Sequence, residues 1–406
     1  MGASRSETGR RNALNTEESA AGVVEDVRCR LFEAPTEGGG VRYANPLRGW
    51  DPLRDERGFA FPRWLVVEVE TSTGIVGLGN AGLAADLIAP IVETRLKPLL
   101  RGRQVAEIQE TWQLLYRSTM AFGRKGLGMV AISAVDLALW DALGKALGVP
   151  VHDLLGGRRS ETIPVYASRL YGSDDLDELA EEASKYVREG FGAVKQRFLW
   201  GPPDGRKGMR ANVDLVRTVR ATIGDDVDLM ADAYMGWDLE YARAMVRLLE
   251  PFDLRWLEEP LLPDEIGGYE ALTRESPIPI AHGEHEFTLK AFGDLVRRRA
   301  LDVIQFDTNR VGGITQAVKI CALAEAFGLP VVPHAGQVHN YHIVASQPAC
   351  SLAEYFPPNA IEVGNELPHW LFEGEPLADG GSVCLNGRPG LGVTVSPREP
   401  VRELAR

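Results

Sequence analysis

The chain has 406 residues, with 44 Lys+Arg against 57 Asp+Glu and a formal net charge of −13. A polyanion without clustered positive charge is a poor partner for nucleic acid or anionic membrane surfaces. Hydrophobic residues at 45% and charged residues at 25% describe a globular chain and exclude general disorder. Cys29, Cys321, Cys350 and Cys384 stand far apart in sequence, so neither a disulfide framework nor a CxxC zinc motif is written, and a reducing cytoplasm is the expected compartment.

Residues 1–22 are polar, carry Arg5, Arg10 and Arg11 without an apolar signal core, and read as a disordered tail. No apolar run is expected to reach the roughly 18 residues of a spanning helix. Residues 23–33 and 64–70 read as strands, and Ser72-Thr73-Gly74 turns the chain into a third at 75–79. Between the first two lies a loop from Gly38 to Phe61, too long for a simple connection and a candidate lid. Residues 84–147 read as helices; within 131–145, Ile132, Val135, Leu139 and Leu143 recur at helical spacing. This first module, 23–150, is α+β.

From about Thr162 short apolar strands alternate with amphipathic helices. The predicted strands are 163–167, 193–198, 227–232, 255–258, 278–284, 302–307, 330–334 and 352–355, separated by helices such as 176–190, 211–223, 238–250 and 312–328. Strands joined by crossover helices pair in parallel, so residues 151–375 are expected to close as an α/β fold of the (β/α)8, TIM-type barrel. The turn-rich stretch 386–393, within a final segment 376–406, is expected to pack back on the first module. Gly312-Gly313 is read as tightening the turn after strand six.

Barrel active sites lie at the C-terminal ends of the strands. Strand three ends in Asp232, strand four in Glu258, strand five in Glu284, strand six in Asp307 and strand seven in His334, at intervals of 23 to 27 residues. Lys195 and Arg197, two apart, share one face of strand two, and strand eight adds Glu354. Three carboxylates on adjacent strands, with no cysteine nearby, form a hard oxygen site suited to Mg²⁺. Asp307 can accept the imidazole N–H of His334 and makes it a candidate general base.

These residues resemble the mandelate racemase branch of the enolase superfamily. The resemblance rests on Ala131-Ile-Ser-Ala-Val-Asp-Leu-Ala-Leu-Trp-Asp141, Trp256-Leu-Glu-Glu-Pro260, Gly283-Glu-His285, Asp307 with Arg310-Val-Gly-Gly-Ile-Thr315, Pro333-His334 and Pro389-Gly-Leu-Gly-Val393. It implies a modified barrel under an α+β capping domain built from the N-terminal portion and the C-terminal segment. It also implies Mg²⁺ on Asp232, Glu258 and Glu284, with Glu259 as an outward neighbour. His334 with Asp307 would remove the proton α to the substrate carboxylate, which Lys195 and Glu354 would hold. Racemases of the branch carry Lys-x-Lys where this chain has Lys195-Gln196-Arg197. Arginine stays protonated, so Arg197 is a poor second base and a better clamp.

The motif set looks most like the sugar-acid dehydratases of the branch, for L-rhamnonate, L-lyxonate or galactonate. The expected reaction is loss of water from an aldonate to give a 2-keto-3-deoxy acid, by a cytoplasmic homo-oligomer acting on a small molecule. An epimerase, racemase or cycloisomerase, or a non-catalytic sugar-acid sensor, are the alternatives. Tyr43, Arg48, Trp50 and Arg57 of the long loop, and Tyr234, Trp237 and His285 after the metal ligands, are the expected substrate contacts.

Overall fold

The computed structural model describes residues 20–35, 41–51 and 60–405. Most of the expected tail lies outside them, although Ala21 is already packed in the core at 1% exposure. Strands β1 (Val24–Glu33), β2 (Arg63–Thr71) and β3 (Val76–Ala81) form an antiparallel meander, and the C-terminal pair Arg402–Glu403 extends it beside β1. On β2, Leu65, Val67 and Val69 bury against the helices α1 (Ala85–Ile91), α2 (Ile108–Gly123) and α3 (Leu127–Leu147). The alternate residues Trp64 and Val66 join the core shared with the barrel.

Helix α3 is the joint between the two parts of the molecule. It is apolar on nearly every face, as befits a helix buried all round. By length and a mean hydropathy of 1.5 it could span a membrane, contrary to the expectation from sequence, but 83% of that stretch is buried inside the fold. On one side it meets the meander backbone to backbone: a Cβ on Gly79 would lie 1.8 Å from the Ala134 carbonyl oxygen. On the other side Ser133 Oγ accepts from the Gly312 N–H at 2.9 Å and Asp136 Oδ2 from the Thr315 N–H at 3.0 Å. Gly313 has φ +74, and a Cβ there would stand 2.2 Å from Asp136 Oδ2, so this glycine pair docks the barrel on α3 as well as turning the chain. Asp141 accepts from Leu78 and from Leu391, each at 2.7 Å, tying β3 and the returning C-terminal segment to the same helix.

The second sheet is parallel apart from one added strand, Ser382–Cys384, which pairs antiparallel with Thr162–Ser168. Its strands are β4 (Thr162–Ser168), β5 (Ala193–Arg197), β6 (Asp228–Asp232), β7 (Leu254–Glu258), β8 (Ile280–His282), β9 (Val303–Ile304) and β10 (Ala353–Tyr355), with β10 beside β4. Three expected strands are shorter than the sequence suggested. The fifth and sixth keep three and two residues. The seventh, 330–334, forms only the bridges Ile304 to Val331, Val331 to Cys350 and Asp307 to His334. These bridges carry the ring from β9 toward β10. Pro330 and Pro333 lack the N–H that a longer ladder needs.

The barrel is filled in layers, as parallel barrels are. Tyr166, Ala193, Met230, Trp256, Ala281, Val303, Val332 and Leu352 form one buried cluster, a residue from each of the eight strand positions. Because strand side chains repeat with period two, the residues two further on face the same interior one layer higher: Ser168, Lys195, Asp232, Glu258, Gln305, His334 and Glu354. An apolar plug thus supports a polar floor. The thiols of Cys321 and Cys350, remote in sequence, come to 3.8 Å as buried free cysteines.

Candidate active site

The floor is a closed electrostatic network. Lys195 Nζ stands 2.5 Å from Glu258 Oε1, 2.9 Å from Glu354 Oε1 and 3.9 Å from Asp232 Oδ2, and the Lys195 side chain is fully buried. Glu258 Oε2 accepts from Trp256 Nε1 at 3.0 Å and from Gln305 Nε2 at 2.9 Å. Glu354 Oε2 accepts from the Ala335 N–H at 2.8 Å. Buried charges persist when each is paired, and Lys195 serves three carboxylates at once.

Asp232 is the member whose carboxyl burial disfavours as an anion. Burial and the neighbouring Glu258 push its pKa up to about 7, against the pull of Lys195 and Arg197. The residues following it are held in the left-handed region, Tyr234 at φ +41 and Met235 at φ +58, as is Glu259 at φ +38 after β7. Such conformations persist only where the surroundings impose them, and they cluster at functional sites. Here they turn the Tyr234 N–H onto Asp232 Oδ1 at 2.8 Å.

His334 lies across from this group. Its Nδ1 is 2.9 Å from Asp307 Oδ2, and its Nε2 is 2.9 Å from Glu284 Oε2. Burial opposes a charged ring, yet Glu284, Glu354 and Asp307 outweigh it and hold His334 well above the ordinary imidazole range. Asp307 also accepts from the Asn309 N–H at 2.7 Å, and Arg310 Nε is 3.0 Å from its Oδ2. Burial would raise the Asp307 pKa, but Arg310 and His334 lower it below its usual value. The dyad is therefore an imidazole whose tautomer and orientation are fixed from one side, with Nε2 turned to the centre.

Two cavities meet above the floor. One, of about 380 Å³, is lined by Arg197, Asp232, Tyr234, Glu284, Arg310 and His334, with Tyr43 and Tyr171 as walls. The other, of about 420 Å³, has Trp64, Leu83 and Val130 of the first module on one side and Asn309 and Gln337 on the other. Phe61, Arg310, His334 and Asn365 border both.

The sequence-predicted residues fare unequally. Asp232, Glu284, Asp307, His334, Arg197 and Tyr234 border these cavities, while Lys195, Glu258 and Glu354 lie in the floor. His285 Nδ1 is 2.7 Å from Glu259 Oε2 and its Nε2 3.4 Å from Glu284 Oε1. Glu259, expected to face outward, is buried at 3% exposure, because its left-handed backbone turns the carboxylate onto His285. Trp237 is a core residue, with Nε1 on the Trp200 carbonyl at 3.0 Å and its ring against Phe198. Arg48 Nη2 pairs with Asp204 at 2.9 Å, and Trp50 is 86% exposed; neither borders the two cavities. Arg57 lies outside the described residues.

Sequence reasoning missed Tyr171, Trp64, Gln337 and Asn365. Tyr171, three residues past β4, obeys the strand-end rule and could have been collected by it. Trp64 arrives from another sheet and carries no local signal.

Asp232, Glu258 and Glu284 offer only carboxylate oxygens from three consecutive strand ends. That donor set fits a hard divalent cation. Among the described residues it is Glu259, Glu284 and His285 that bring ligand atoms within 4.8 Å of one another; this second set includes an imidazole already engaged with Glu259, and suits such a cation less.

A capped parallel barrel that gathers acids and an imidazole–carboxylate dyad at its strand ends defines an enolase-like enzyme architecture. Residues 60–156 match the mandelate racemase / muconate lactonizing enzyme N-terminal domain, and residues 178–399 the enolase C-terminal domain-like family. The chain belongs to this mandelate racemase / muconate lactonizing enzyme family. It is 39% identical to an L-rhamnonate dehydratase of Saccharopolyspora erythraea over 342 residues, 83% of this chain and 84% of that protein. The rhamnonate dehydratase of Gibberella zeae, solved with Mg, superposes with TM-score 0.80 at 31% identity, covering 92% of this chain and 95% of that one. A racemase from Streptomyces coelicolor A3(2) with bound magnesium gives TM-score 0.80 at 31% identity, covering 92% and 97%.

Proposed function

We propose that this chain is a Mg²⁺-dependent sugar-acid dehydratase that converts an aldonate, with L-rhamnonate the first candidate, to its 2-keto-3-deoxy acid. The observation that carries the reading is the His334–Asp307 dyad, whose Nε2 faces the same cavity as Asp232 and Glu284. The relative's designation as a dehydratase supports the same reaction. Mg²⁺, held by Asp232, Glu258 and Glu284, would offset the negative charge that develops on the substrate carboxylate. A cation on Glu284 would relieve the anionic pull that otherwise keeps His334 protonated, and the neutral ring would then take the proton at C2, with Asp307 keeping the resulting imidazolium in place. The cation Lys195, fixed between Glu258 and Glu354, contributes positive potential beneath that carboxylate. Arg197 borders the cavity as a permanent cation, which disfavours the two-base chemistry of a racemase.

In this reading residues 23–150 and 376–406 make the cap, residues 151–375 make the barrel, and the enzyme works in the cytoplasm as a homo-oligomer. Exposed Met120, Phe122 and Leu127 supply apolar cap surface for such contacts. The test is a library of aldonic and aldaric acids with purified protein and Mg²⁺, read by formation of 2-keto-3-deoxy product. Turnover of one monoacid, abolished by chelation and restored by Mg²⁺, is expected. Isomerised product with no loss of water would select the epimerase alternative instead.

A further inference from the structure

Elimination of water asks for an acid at the departing 3-hydroxyl as well as a base at C2. Resting on the dehydratase reading, we propose that Tyr171 is that acid, a catalytic residue distinct from the base His334. The Tyr171 side chain lines the same cavity as His334, Asp232 and Glu284. Its hydroxyl is buried and has no hydrogen-bond partner among the described residues. A buried hydroxyl left unpaired costs free energy, and the residue that carries this one lines the substrate cavity. Tyr43 and Tyr234 border that cavity too, but neither is without partners.

The surroundings of Tyr171 suit a proton donor. The Arg197 guanidinium lies over its ring, 4.8 Å from the centroid. Arg197 is itself held by the Arg169 carbonyl and Ser168 Oγ, each at 3.2 Å, with Nε 3.5 Å from Asp232 Oδ2. Burial raises the phenol pKa and Arg197 partly offsets it, so the group is protonated at neutral pH. Hydroxide is a stronger base still, so the proton moves downhill as the C3–O bond breaks, and the fixed cation stabilises the phenolate left behind. This gives Arg197 a task that an arginine can perform, where it cannot serve as a base.

The steps balance. His334 Nε2 takes the C2 proton, and the C–H electron pair enters the enediolate. That pair forms the C2–C3 double bond as the C3–O pair departs on oxygen, which takes the Tyr171 proton and leaves as water. The imidazolium, its proton exchanged with solvent, then protonates C3 while the enol hydroxyl gives its proton to the Tyr171 oxygen, leaving the keto acid and both side chains as they began.

The test is Tyr171→Phe, which keeps the ring under Arg197, assayed with L-rhamnonate and with its 3-deoxy-3-fluoro analogue, whose fluoride departs without a proton. The expected variant loses dehydration by roughly 10²- to 10⁴-fold, still exchanges the C2 proton in D₂O, and releases fluoride at close to the wild-type rate. Dehydration within about threefold of wild type would overturn the proposal, as would parallel loss of exchange and fluoride release, the sign of a merely structural role. If the wild-type protein itself neither dehydrates nor exchanges any aldonate, the dehydratase reading falls first.

Discussion

The polar floor of the barrel and the cavity above it are built from the same kinds of residue but are satisfied differently. In the floor, the ions Lys195, Glu258 and Glu354, with Trp256 and Gln305 donating to Glu258, partner one another across four strands, and only Gln305 Oε1 among the atoms of this network is left over. In the cavity, Tyr171 and Gln337 each keep a buried oxygen without a hydrogen-bond partner among the described residues. The contrast separates the frame from the reacting face by charge: ions that pair with one another hold the site, and the neutral Tyr171 and Gln337 at the cavity keep an oxygen for a ligand.

The largest break of this contrast is expected at His334. His334→Asn retains a polar side chain toward Asp307 but removes the base, and dehydration should fall by roughly 10³-fold or more while circular dichroism and melting stay close to wild type. Lys195→Met strikes the frame instead. It leaves Glu258 and Glu354 buried without their cation, at a cost of about 3–5 kcal/mol, visible as a lower midpoint in urea; a variant that stays as stable as wild type would show the network to be dispensable.

The smallest effect lies outside both regions. Burial pushes the Glu375 pKa up to about 8, opposed by the Val338 N–H that its Oε1 accepts at 2.7 Å. A carboxyl whose folded pKa is raised disfavours folding as it ionises, so stability should decline as pH rises from about 4.5 toward 8 and then level off. Glu375→Gln should flatten that segment of the stability profile without altering its shape elsewhere.

Much of this was legible in the sequence because the barrel repeats. Apolar strands of period two ending in Asp232, Glu258, Glu284, Asp307 and His334 announce their own register, and the structure brings four of these to the cavities and leaves Glu258 in the floor beneath them. The boundaries of the later strands were not legible, since Pro330 and Pro333 cut the ladder to bridges that no hydrophobic pattern encodes. Residues contributed by distant segments were equally silent: Trp64 reaches the cavity from another sheet, and Glu259 turns inward through a left-handed backbone that its neighbours impose. Arg48 and Trp50 were chosen because their loop is long, yet the first is engaged by Asp204 and the second faces solvent.

The central claim, that His334 abstracts a C2 proton and water is then lost, is tested most directly by following L-rhamnonate with enzyme and Mg²⁺ in D₂O by NMR. The account predicts disappearance of the C2 proton signal together with growth of a 2-keto-3-deoxy product carrying deuterium at C3, and neither change with His334→Asn. Water loss that persists at the wild-type rate in His334→Asn, or C2 exchange that never leads to water loss in the wild type, would contradict it.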